Sequence, residues 1–155
     1  MPKGWSCILI LAAAVGCSKP PDPPAVRIGE HTWRVELATD PETQRKGLSG
    51  RKDIPAGTGM LFVFPDAVER EFWMLGCLTP IDVAFISSAM EIVEIRTMAV
   101  ESDPWDTERL SMYPSREPAR YALEVAAGTF GRLGIRVGQR VELLGAARGA
   151  AKDAR

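Results

Sequence analysis

Between Gly59 and Ile86 the chain reads GMLFVFPDAVEREFWMLGCLTPIDVAFI, three apolar, aromatic-rich runs broken at Pro65, Gly76 and Pro80. These runs should form the core, and the unbroken run Met60 to Phe64 predicts a strand buried on both faces, with strands over Glu71 to Met74 and Ile81 to Ile86 following. Elsewhere the pattern alternates. Trp33, Val35 and Leu37 alternate with Arg34 and Glu36, Val93 and Ile95 with Glu94 and Arg96, and Tyr121, Leu123 and Val125 with Glu124. Each predicts a strand with one core-facing side.

Turn chemistry sets the connections. Gly29-Glu30-His31 predicts a tight hairpin between Val26–Ile28 and Thr32–Ala38, and Ser87-Ser88 a second turn. Thr39-Asp40-Pro41-Glu42 reads as a helix start, with Thr39 as cap, Glu42 returning the bond and Pro41 in the first turn, stopped by Gly47. The helix should span about Asp40 to Lys46. Residues 101–118 form a long connection carrying Trp105 and Tyr113, a length usual for lids or disordered segments. A helical turn is expected near Phe130, then strands over Ile135 to Val137 and Arg140 to Leu144. The expected fold is all-β, a small sandwich or barrel with one short N-terminal helix, and a loose tail over residues 145–155. Its core should include Val35, Leu37, Leu61, Val63, Phe72, Phe85, Val93, Ile95, Leu123 and Val125.

The first residues do not belong to that domain. Lys3 precedes an apolar run from Cys7 to Val15, too short to span a bilayer but right for a signal-peptide core. It ends in Ala14-Val15-Gly16-Cys17, small residues before a cysteine, which resembles the lipobox at which bacterial lipoproteins are cut and acylated. Ala14 stands where that motif prefers Leu; an ordinary secretory signal is the alternative. Ser18 to Pro24 is proline-rich and should be an extended tether. The division is signal 1–16, tether 17–25, domain 26–144 and tail 145–155. The expected address is the periplasmic side of a membrane, the outer one by Ser18, held by lipid on Cys17. Cleavage would remove Lys3 and no acid, taking the formal charge from −1 to −2, so acyl chains and not charge would hold the membrane.

With 155 residues, 46% hydrophobic, and no basic cluster, the chain is an ordinary single domain without the electrostatic footprint of a nucleic-acid binder. Cys77 is the one cysteine of the mature domain, so no internal disulfide can form.

Three readings of the central stretch compete. In the first, Trp73, Met74 and Tyr113 line a cleft whose polar groups are Arg51, Asp82 and Glu124, a binding module for a small molecule or an envelope partner. In the second, Asp82 and Glu124 are a general acid/base pair of a hydrolase or transferase, or Cys77 is a nucleophile. The one histidine, His31, lies far off in a hairpin, which leaves a cysteine nucleophile without an evident base. In the third, Cys77 with Met60, Met74, Met98 and Met112 binds copper(I). Core packing explains the aromatic, methionine and cysteine residues as well, a structural bond to backbone or to Arg51 explains Asp82 and Glu124, and no cofactor or zinc motif is present.

Several stretches together resemble one family: VELATDPETQRKGLSGRKDIPAGTGMLFVFP, then FWM, TPIDVAFI, YALEVAAGTFGRLGI and VGQRVEL. They are similar, in order, to the bacterial and archaeal domain of unknown function 192. The resemblance implies a small mostly-β, jelly-roll-like fold, often exported, without an established activity. That family usually carries Lys-Asn-Thr after FWM, where this chain has Leu75-Gly76-Cys77.

Overall fold

The computed structural model describes residues 22–154. The expected signal, Cys17 and the first part of the tether lie outside them. β1 (Ala25–Ile28) and β2 (His31–Ala38) form the expected hairpin, with Ile28 opposite His31. β2 presents Trp33 and Val35 inward and Thr32, Arg34 and Glu36 to solvent.

α1 (Pro41–Lys46) differs from expectation in its cap. Asp40, not Thr39, is the cap, accepting from the amides of Glu42 and Thr43 at 3.1 and 3.0 Å, and the Thr43 hydroxyl, not Glu42, faces back to the Asp40 backbone. Proline at the first helical position makes the residue before it the cap. Gly47 stops the helix at φ +48.

The strands β3 (Thr58–Val68), β5 (Ile81–Ile86), β6 (Ile92–Met98), β8 (Ala119–Ala126) and β9 (Val141–Leu144) complete one seven-stranded sheet, ordered β6-β5-β8-β3-β2-β1-β9. Only β2 and β3 pair in parallel, and α1 lies in the crossover between them. The sheet curls until its edges touch at one end. Glu91 bridges Arg140, and the Val141 amide donates to the Met90 carbonyl at 2.8 Å. The protein is thus mainly β, but as a half-barrel; neither a sandwich nor a jelly roll is shown.

The curl encloses one core, with Trp33, Val35, Leu61, Val63, Leu123 and Val125, plugged by Phe130 from α2 (Thr129–Arg132). A second core covers the outer face of β3, β5 and β8, with Phe62, Phe64, Phe72, Val83 and Phe85. Two cores on one sheet explain the unbroken apolar runs, since all six residues of β5 are buried. Of the expected core, Leu37, Val93 and Ile95 are only partly buried. Val93 and Ile95 lie on the edge strand β6, past the point where Glu91 and Ile92 meet residues 138–140 on its outer side.

The long connection is ordered around β7 (Tyr113–Pro114), which pairs with β4 (Glu71–Phe72) as a small second sheet. Two corrections fall at the C-terminus. Residues 135–137 are not a strand, and the tail, expected to be loose, forms α3 (Ala146–Asp153), with Ala147 fully buried in the inner core. Three helices are therefore present among the described residues, not one.

Candidate functional site

A cavity of about 370 Å³ opens on the outer face between the end of α1 and β4. Its walls are Phe62 and Phe64 of β3, Phe72 of β4, and Trp73, Leu75 and Cys77 of the turn that follows. Strand alternation places Phe62 and Phe64 on the same outer face, and Pro65 ends their buried run. The Phe62 and Phe72 rings meet edge to face at 4.9 Å, and Phe72 stands on Phe85 at 5.1 Å. These contacts fix the wall.

Glu124 forms the floor. Opposite Met60 on β3 and Val83 on β5, its side chain must share their outer face, while Leu123 and Val125 point into the barrel. It is only 4% exposed, and its Oε2 has no hydrogen-bond partner. Burial pushes its carboxyl up to about 8, against the pull of Arg51. Gly47 lies above it: a Cβ there would meet the Phe62 ring at 3.4 Å and Glu124 Oε2 at 3.5 Å. The helix end can thus approach the acid.

Cations rim the opening. Arg45 stands over the Trp73 ring at 6.0 Å, and Lys46 follows it in the last turn of α1. Arg70 lies over Phe64 at 4.1 Å, but it is held by an ion pair to Asp66 and by a bond to the Ala119 carbonyl. Glu69 and Glu71 line the β4 side.

The expected site residues divide. Glu124 and Trp73 line the cavity; Met74, fully buried, belongs to the outer core. Arg51 does not line it, and is held in a two-pronged pair with Glu36 at 2.6 Å per bond, although its charge reaches Glu124. Tyr113 accepts from the Ala99 amide at 3.3 Å and packs on the outer core. Asp82 is elsewhere. It sits opposite Val125, on the inner side of β5, accepting from the Thr97 hydroxyl at 2.7 Å and from the Phe130 amide at 3.1 Å. It anchors α2 and does not converge with Glu124.

Cys77 is buried, and burial followed by the Glu124 charge pushes its thiol up to about 12, the reverse of an activated nucleophile or a metal-binding thiolate. Met60, Met74 and Met98 share its cluster as core residues, whereas Met112 is exposed. Among the described residues no group of three His, Cys, Asp or Glu side chains is placed to hold a metal.

Gln44, Arg45, Lys46, Gly47 and Leu48 line the cavity and were not foreseen. The one signal for them is the cationic last turn of α1 beside a helix-stopping glycine, which by itself reads as ordinary capping.

The geometry defines a mainly-β domain with a lateral cavity over a buried acid. Residues 25–143 match DUF192, a family described as uncharacterized ACR, and the chain belongs to that family. Solved structures similar to the chain include two of uncharacterised or unproven role. One, from Sinorhizobium meliloti, is described as a candidate transcription regulator; it is 32% identical, with 81% of this chain and 95% of that one covered and a TM-score of 0.68. The other, a protein of unknown function from Novosphingobium aromaticivorans, is 29% identical, covering 90% of this chain and 99% of that one at a TM-score of 0.66. No curated protein matches the chain.

Proposed function

We propose that this protein is a lipid-anchored binding module of the cell envelope, tethered through acylated Cys17 on the periplasmic side of the outer membrane, whose cavity between α1 and β4 takes a small organic molecule. One observation carries the binding reading: an aromatic-walled cavity of about 370 Å³ has at its floor a buried carboxyl with an unpartnered oxygen. The volume falls in the range of small-molecule sites. A buried carboxyl without hydrogen bonds costs about 1–3 kcal/mol, part of which a ligand group bonding to its cavity-facing oxygen would recover.

The hydrolase or transferase reading through Asp82 and Glu124 has less support, because those carboxyls leave opposite faces of the sheet. Copper(I) binding is disfavoured by a Cys77 thiol held protonated.

A thermal-shift screen of small ring-containing compounds tests the proposal. A ligand at a hundredfold its Kd adds about 2.7 kcal/mol of stability. Hits should stabilise the wild type and lose that effect in Trp73→Ala; hits that stabilise both equally would place binding elsewhere.

A further inference from the structure

The two ends of the cavity differ in chemistry, and the difference narrows what can fill it. At the inner end the Glu124 carboxyl makes no hydrogen bond to a described residue; its Oε2 is sealed under Gly47, and its other oxygen, which faces the cavity, asks for one uncharged hydrogen-bonding group. An ammonium is poorly suited there, because Arg51 acts on the same carboxyl and the guanidinium of Arg70 already occupies the face of Phe64. At the outer end Arg45 and Lys46 are exposed and make no ion pair with another described residue. Glu36, whose charge Lys46 feels, is already doubly bonded to Arg51. Glu69 and Glu71 stand on the opposite side, so an anion has one favourable wall, the α1 side. Between the ends lie the rings of Phe62, Phe72 and Trp73 and the side chain of Leu75, with Gln44 and Cys77 beside them.

We infer that the cavity is selective for a small aromatic carboxylic acid bearing a hydroxyl at the far end of its ring. The ring packs between Phe62, Phe72 and Trp73. Its hydroxyl meets Glu124, and its carboxylate lies against Arg45 and Lys46. This inference rests on the binding reading above and adds the chemical class of the ligand.

Isothermal titration of the purified full-length protein with three probes tests it: para-hydroxybenzoate, benzoate, and para-hydroxybenzyl alcohol. The hydroxy acid should bind about tenfold more tightly than either of the others, one hydrogen bond or one charge contact accounting for each difference. An Arg45→Ala, Lys46→Ala double variant should erase the hydroxy acid's advantage over the alcohol. Glu124→Leu should erase the advantage over benzoate. Equal binding of all three probes, or a preference over the alcohol that survives the double variant, overturns the assignment of the anion. If none of the three binds while other ring compounds bind and depend on Trp73, the ligand class is wrong and the binding reading stands. If no compound depends on Trp73, both fall.

Discussion

Asp82 lies opposite Val125 and Glu124 opposite Val83 across the same strand pair, so the two buried carboxyls, one step apart in register, leave opposite faces of one sheet. Each is set by its own surroundings. Asp82 has two hydrogen bonds at 2.7 and 3.1 Å and anchors a helix; Glu124 has an oxygen with none and floors a cavity.

Asp82→Asn should therefore act on stability and not on ligand binding. Weakening bonds to a buried acceptor costs about 1–3 kcal/mol. Urea denaturation should show that loss, with probe affinities at the cavity unchanged; a selective loss of binding would place Asp82 in the site.

Glu124 makes stability depend on pH in a distinctive direction. Its folded value of about 8 lies above its ordinary 4.5, so between those limits the folded protein holds a proton that the unfolded chain has released. The acid form's contribution is fully present below pH 4.5 and is lost as pH rises through about 8. Stability should fall over that window in the wild type and fall less in Glu124→Gln. Cys77 titrates higher, near 12, and does not interfere below pH 9, its ordinary value. Parallel pH profiles for wild type and Glu124→Gln would contradict the assignment.

Gly76 ties the long connection to the turn beside the cavity. It has φ +63, its amide donates to the Pro104 carbonyl at 2.8 Å, and an added Cβ would lie 2.3 Å from Ser49 Oγ and 2.5 Å from Trp105 Cη2. Gly76→Ala should cost about 1–3 kcal/mol through left-handed strain and the clash. Hydrogen exchange over residues 101–112 should rise, and Trp105→Ala should recover part of the loss. An unchanged exchange pattern would mean that the connection is held elsewhere.

Phe85 is fully buried and packs edge to face on Phe72 at 5.1 Å. Phe85→Ala should cost about 3–5 kcal/mol by chemical denaturation. It should also loosen the ring wall of the cavity, so ligand affinity should drop with it; a near-neutral effect would show that the outer core is not packed as described.

The lipid anchor is tested in cells. Mass spectrometry of the membrane fraction should find a mature chain beginning at acylated Cys17, and Cys17→Ser should release the protein from that fraction. A mature N-terminus without lipid, free in the periplasm, would sink the anchor.

The sequence by itself determined most of the long strands, though not β7 and wrongly Ile135 to Val137, together with the hairpin at Gly29, the helix stopped by Gly47 and the doubly buried character of Met60 to Phe64. These follow from local physics: side-chain alternation, turn residues and capping act within a few positions. Only the tertiary structure decided that seven strands join one curled sheet, with β2 and β3 parallel. It alone put Glu124 with Phe62 and Trp73, sent Asp82 to the other face, and ordered the tail as α3. Alternation tells which residues of one strand share a side, but not which side meets which neighbour. That is settled by pairing register between segments far apart in the chain, and a shift of one residue reverses every face.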